Sequence, residues 1–253
     1  MENRVSIFVC GVQKGGTTSL HAHFSEHPGL LAPYRKEIHF FDAEDLNWAK
    51  PDYILLDQIF PPDEGRRRRF DITPIYGFWP PSVARIRDYN PDAKLIYLFR
   101  DPLRRAWSQW CMRFARREEN LPFAEAIRDG RSRMDGLPAL ALERRAHSYV
   151  ERGFYGEQAR RALAHFPREN ILFLRSQDLW NDHRGTLARI ADFLAIEPFP
   201  DTGAKREYVR PEGAWPSPPT EPDRQLFADV LRDDLRQFVT LTGIDISDWE
   251  IAR

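Results

Sequence analysis

Three short apolar runs constrain this chain more than any other feature: residues 5–10 (VSIFVC), 94–99 (KLIYLF) and 171–175 (ILFLR). None alternates strictly between apolar and polar side chains. Each therefore predicts a strand buried on both faces, as in a parallel sheet covered by helices. The intervening stretches carry helical signals. A helix is expected over about 17–26, closed by His27-Pro28-Gly29. Others are expected over 82–89, from Arg100-Asp101-Pro102 to about 117, from Leu121-Pro122-Phe123 onward, over most of 139–166, over 184–195 and over about 222–241. Strands alternating with helices define the expected fold class: α/β, three-layered and P-loop-type, with a central parallel sheet flanked by helices. Residues 131–138 read as a loop. With 253 residues, 42% of them hydrophobic, and no repeat or dividing linker, one domain over 1–253 is expected. Within it, the proline-rich, aperiodic stretch at about 197–222 is a long loop of the kind that often serves function.

The first run leads straight into GVQKGGTTSL (11–20) and then a helix. Gly11, Gly15 and Gly16 let the backbone turn tightly and approach a ligand closely. The N–H groups of the loop and of the first helical turn would point at an anion, and the helix dipole would favour it. Lys14 adds a mobile positive charge, and Thr17, Thr18 and Ser19 add hydroxyls. The plainer alternative is a glycine turn capped by Thr17 or Thr18 beside a surface lysine. A nucleoside-triphosphate loop reads G-x-x-x-x-G-K-[ST], with its lysine directly before the metal-holding hydroxyl. Here Gly16 occupies that lysine position and Lys14 stands two residues earlier. Asp71 in FDITP is the best candidate for an acidic strand end that could hold a metal, but the strand signal around it is weak. The loop thus reads as one for a phosphate without the usual metal arrangement, and no metal site is expected.

Composition excludes several classes. The 37 basic and 38 acidic residues cancel to a net charge of −1, which does not favour nucleic acid as a partner. The run Arg66–Arg69 reads as a solvated charged face. Cys10 and Cys111 do not make a disulfide framework. No signal peptide and no stretch of ~20 apolar residues is present, so a cytoplasmic enzyme without membrane attachment is expected.

At this point GVQKGGTTSL resembles the 5′-phosphosulfate loop of sulfotransferases that use 3′-phosphoadenosine 5′-phosphosulfate (PAPS). KEIHFFD (36–42) is similar to the segment after the first helix in the heparan-sulfate glucosaminyl sulfotransferase branch, and LIYLFRDPLRRAWSQW (95–110) is similar to the family's 3′-phosphate segment. Order and spacing agree over about 5–195, whereas the C-terminal fifth matches poorly. The resemblance implies PAPS as co-substrate, adenosine 3′,5′-bisphosphate as product, and no metal. Lys14, Gly15, Gly16, Thr17, Thr18 and Ser19 would hold the 5′ side, and Arg100 with Ser108 the 3′-phosphate. An arginine fork with a hydroxyl suits a terminal phosphate. Tyr155 falls where the family often places a tyrosine near the nucleotide; it reads equally as a core-edge aromatic.

By the same resemblance Glu37 is the base that takes the acceptor's proton. His39 is the other candidate, because its ordinary pKa near 6.5 suits a base. On an extended segment the two side chains would point the same way. Asp42 completes the cluster, and Lys14 would stabilise charge on the leaving phosphate oxygen. Two departures stand out. The heparan-sulfate branch has a lysine before Thr-Pro where this chain has Ile72, which argues against a heparan-like acceptor. The family's Lys-Gly-Arg cofactor loop has only Lys205, Arg206 and Arg210 as loose counterparts. The expected acceptor is a small metabolite or a glycosylated natural product of bacterial secondary metabolism. A P-loop kinase or other phosphotransferase and a non-catalytic nucleotide-binding protein are the competing readings. Oligomeric state is not legible.

Overall fold

The apolar runs do form the strands of a parallel sheet. The computed structural model describes residues 4–63, 67–205 and 215–252. Its strands are β1 (Ile7–Gly11), β2 (Leu30–Leu31), β3 (Arg68–Ile72), β4 (Lys94–Phe99) and β5 (Ile171–Arg175). The α-helices, in chain order, are α1 (Thr17–Glu26), α2 (Ile54–Asp57), α3 (Ser82–Tyr89), α4 (Pro102–Ala115), α5 (Phe123–Ile127), α6 (Leu142–His147), α7 (Tyr155–His165), α8 (Ser176–Asn181), α9 (His183–Leu194) and α10 (Glu221–Thr242). The chain divides into two compact units, 1–99 with 161–208 and 100–160 with 209–253. No single linker separates them, because the chain passes between the units three times.

The first unit contains the whole sheet, in the order β2-β3-β1-β4-β5, with every pairing parallel. β1 lies at the centre. Ile7 pairs with Phe70 on one side and with Lys94 on the other. Successive connections leave β1 in opposite directions, which makes its C-terminal end the place where such sheets bind ligands. The lack of polar alternation has a direct cause. Ile7 and Val9 face a core shared with Leu20 and Phe24 of α1 and with Leu187, Ile190 and Leu194 of α9. Phe8 faces the other way and meets Phe41 edge-on at 5.5 Å, and Phe41 in turn contacts Tyr89 of α3. Both faces are covered, so both need apolar side chains.

The second unit is helical. Leu231 of α10 and Pro102 of α4 both crowd Gly153, and Trp107 stacks on Trp110 within α4. A capping box of Thr220 and Asp223 starts α10, and Asp234 accepts the N–H groups of Gly156 (2.7 Å) and Glu157 (2.8 Å) at the start of α7. Arg105 is fully buried; it donates to Gln109 Oε1 at 2.7 Å and to the Tyr149 carbonyl.

Several expectations need correction. FDITP is no weak strand: β3 sits inside the sheet between β2 and β1. The arginine run is not a solvated face throughout. Arg69 is buried and pairs with Asp57 at 2.8 Å, and Arg68 reaches Ser6 Oγ and the Leu194 carbonyl. Arg67 does face solvent, beside Asp63, and Arg66 lies outside the described residues. The expected loop at 131–138 is partly a 3-10 helix, Asp129–Met134. The helical stretch 139–166 is two helices divided by a 3-10 turn at Glu151–Gly153. The two-residue β2 and four-residue α2 were invisible to periodicity, being too short to show a period. No described helix is long and apolar enough to cross a membrane.

Candidate active site

The loop after β1 is built as a cradle. Val12 N–H donates to the Leu98 carbonyl, and Gly15 N–H turns back to the Val12 carbonyl at 2.9 Å. A side chain on Gly15 would put its Cβ 2.6 Å from the Leu98 oxygen and 2.9 Å from the Val12 oxygen, so only glycine fits. Gly16 caps α1 in the left-handed region at φ +92°, with no side-chain cap bond. The N–H groups of the first turn have no intrahelical acceptors, and no acidic residue occupies that turn to neutralise the helix's positive end. Thr17 and Ser19 are buried beneath the loop, and Thr18 and Lys14 are half-exposed.

Gly16 also lies close against α8. The Trp180 ring of α8 would stand 3.1 Å from a Cβ there, with Leu179 at 3.6 Å. From the same helix, Ser176 donates its hydroxyl to the Gly15 carbonyl at 2.6 Å. Ser176 and Trp180 buttress the loop from about 160 residues away in sequence, and only the fold reveals them. Asp71 is equally unsuited to a metal-holding role. It is fully buried and accepts hydrogen bonds from Thr73 Oγ1 (2.6 Å) and the Tyr76 hydroxyl (2.8 Å).

Glu37, His39 and Asp42 come together in the same unit. His39 Nδ1 lies 3.0 Å from the buried Asp42 Oδ2, and its Nε2 lies 3.6 Å from Glu37 Oε2. The segment is not extended, contrary to the sequence expectation: Glu37 and His39 both adopt φ +59°. Five described non-glycine residues have positive φ, and Lys14, Glu37 and His39 are three of them. Backbone strain therefore concentrates at the residues with candidate chemistry.

Lys36, absent from the sequence-derived set, ties this cluster to the loop. Its Nζ donates to Glu37 Oε1 at 2.7 Å and to Thr18 Oγ1 at 3.1 Å. Adjacency to Glu37 was the only sequence signal. Burial by itself would raise the Glu37 carboxyl, but hydrogen bonds and charge from His39 and Lys36 outweigh it and hold the group at about 2. His39 is pushed up to about 9 by its bonds to Asp42 and Glu37, against the effect of burial. At neutral pH the cluster thus holds an ionised carboxylate and an imidazolium that already carries its proton. Ile72, which replaces the heparan-branch lysine, is buried in the core and presents no charge.

In the second unit, Arg100 directly follows β4 and is half-exposed, as is Ser108 two turns into α4. Asp101 caps α4 by accepting the Arg104 N–H at 2.8 Å, with Pro102 at the first helical position. Tyr155 is fully buried against Phe238 and Trp249, and its hydroxyl donates to the Arg100 carbonyl at 2.8 Å. The tyrosine thus holds the arginine's backbone. Lys205 pairs with Glu26, and Arg206 and Arg210 lie outside the described residues.

A parallel α/β sheet with an anion cradle after its central strand defines a phosphate-loop protein. Residues 4–202 match the sulfotransferase domain family, and the chain belongs to that family. It is 30% identical over 192 residues to human heparan sulfate glucosamine 3-O-sulfotransferase 3B1, covering 75% of this chain and 45% of that protein. The human 3A1 form is also 30% identical over 192 residues, with 75% of this chain and 44% of that protein covered. The chain therefore spans about half the length of the curated relatives it matches. The crystal structure of a sulfotransferase from Alicyclobacillus acidocaldarius superposes with a TM-score of 0.77 at 25% identity, over 97% of this chain and 98% of that one.

Proposed function

We propose that this chain transfers a sulfuryl group from PAPS to a hydroxyl or amine of a small-molecule or glycosylated acceptor. The observation that carries the reading is Lys36, which joins the Glu37 carboxylate to Thr18 of the anion cradle. A proton acceptor held one side chain away from a phosphate cradle is what in-line transfer from an anionic donor needs.

In this reading the loop N–H groups, Lys14 and the Thr17–Ser19 turn bind the 5′ side of the donor. Arg100 and Ser108 take the 3′-phosphate, and Tyr155 supports Arg100 from behind. The acceptor oxygen attacks sulfur as the bond between sulfur and the 5′-phosphate oxygen breaks. The acceptor proton passes to Glu37. Lys14 and the loop N–H groups stabilise the charge left on the phosphate oxygen. His39, already protonated, orients Glu37. The heparan-sulfate relatives act on an acidic sugar chain; Ile72 in the core here favours a less acidic acceptor. The kinase reading is disfavoured because position 16 is a glycine at φ +92°, a conformation a lysine would adopt only with strain, its Cβ then 3.1 Å from the Trp180 ring.

Calorimetry with adenosine 3′,5′-bisphosphate, followed by an acceptor screen with labelled PAPS, tests the proposal. Micromolar binding of the bisphosphate and label transfer are expected. Binding of ATP with magnesium in preference to the bisphosphate would overturn the reading.

A further inference from the structure

A buried polar pair lies directly under the cluster of Glu37 and His39. Asp71 and Tyr76 are both fully buried. The Tyr76 hydroxyl donates to Asp71 Oδ2 at 2.8 Å and accepts the N–H groups of Phe40 (3.1 Å) and Phe41 (3.4 Å). The Asp71 carboxylate also accepts from Thr73 Oγ1 and from the Ile38 N–H. The N–H groups of residues 38, 40 and 41 are therefore held by this pair, and the left-handed residues are Glu37, just before the first of them, and His39, between the first and the second. A non-glycine residue in that region persists only where its surroundings over-determine it. Here two alternate residues do so, and they carry the carboxylate and the imidazole.

We propose that Asp71 and Tyr76 are positioning residues of the transfer site, clamping the backbone of 38–41 so that the Glu37 carboxylate and the His39 imidazole meet. The proposal rests on the reading of Glu37 as the base but concerns the geometry of the segment itself. Asp71 is held up at about 6, because burial outweighs the bonds from Thr73, Tyr76 and Ile38 and the nearby charge of His39. A carboxyl kept under that pressure is stabilised only while those donors stay in place.

Tyr76→Phe removes one hydroxyl and no charge. The groups acting on His39 are Glu37, Asp42 and Asp71, with Lys36 paired to Glu37. The test follows the His39 imidazole by NMR titration in the full chain. Wild type should titrate near 9. Tyr76→Phe should lower that midpoint by about one unit or more, toward the ordinary value near 6.5, while adenosine 3′,5′-bisphosphate affinity changes less than about twofold. An unchanged His39 midpoint in folded Tyr76→Phe would overturn the proposal, whatever happens to the melting temperature. Should the variant not fold, amide exchange in wild type decides. The Phe40 and Phe41 amides should be protected at least about a hundredfold, and exchange at the rate of an open loop would overturn the clamp. Full turnover in Glu37→Gln would instead dismiss Glu37 as the base and leave the His39 result to judge the clamp.

Discussion

His39 Nε2 stands 3.6 Å from Glu37 Oε2 while its Nδ1 stands 3.0 Å from Asp42 Oδ2, so one imidazole is held between two carboxylates. In the proposed mechanism Glu37 and His39 have different tasks, which substitution can distinguish. Glu37→Gln is expected to lower turnover by ~10²–10⁴-fold while leaving product-nucleotide binding nearly intact. His39→Asn should cost less in the proposed mechanism, where His39 orients the carboxylate and Glu37 takes the proton. Steady-state kinetics beside calorimetry separates the effects. The reverse ranking would give the base to His39.

The same pair sets the pH response. With its carboxyl at about 2, Glu37 stays ionised across the neutral range. His39 has its folded value raised to about 9. The stability its ion pairs contribute is fully present below its ordinary value near 6.5 and is lost as pH rises through 9. Turnover should be level from about pH 7 to 8, above the range in which Asp71 takes up a proton, and decline above about 9. A pH–rate profile rising through about 6.5 would show instead that a neutral imidazole is required.

Gly15 admits no Cβ, because two backbone oxygens lie within 3 Å of where it would stand. Gly15→Ala should destabilise the chain by about 2 kcal/mol or more and abolish detectable adenosine 3′,5′-bisphosphate binding. Thermal melts and calorimetry on the same sample check both. Unchanged stability would mean that the loop does not hold this geometry.

Arg100→Ala should weaken adenosine 3′,5′-bisphosphate binding by about tenfold or more, since a charge-assisted bond contributes ~1.5–3 kcal/mol. Adenosine 5′-phosphate, which lacks the 3′-phosphate, should be affected little. Equal losses for both ligands would remove the 3′-phosphate from Arg100.

Transfer should continue in excess chelator. Gly16 and its Trp180 cover replace the lysine of a metal-assisted loop, and Asp71 is committed to Thr73 and Tyr76. Loss of transfer that added magnesium restores would favour the phosphotransferase reading.

By itself, the sequence determined the local elements and the chemistry they carry. Helices α1 and α3 and strands β4 and β5 could be read to the residue, because apolar periodicity and Pro or Gly boundaries are local signals. GVQKGGTTSL pointed to an anion-binding loop through its glycines and the helix that follows, and KEIHFFD pointed to the candidate bases Glu37 and His39 through its resemblance to a known family. Tertiary structure decided what depends on partners distant in sequence. β3 looked weak alone, and it became an inner strand because β1 and β2 pair with its two edges. Arg69 looked solvated until Asp57 met it in a buried setting. Glu37 and His39 converge through left-handed backbone and not through an extended segment, where Asp71 and Tyr76 hold the N–H groups of residues 38, 40 and 41 from the neighbouring strand and turn. Hydrogen bonds over 30 or more residues leave no period in a sequence, so the residues that aim this site became visible only once the chain was folded.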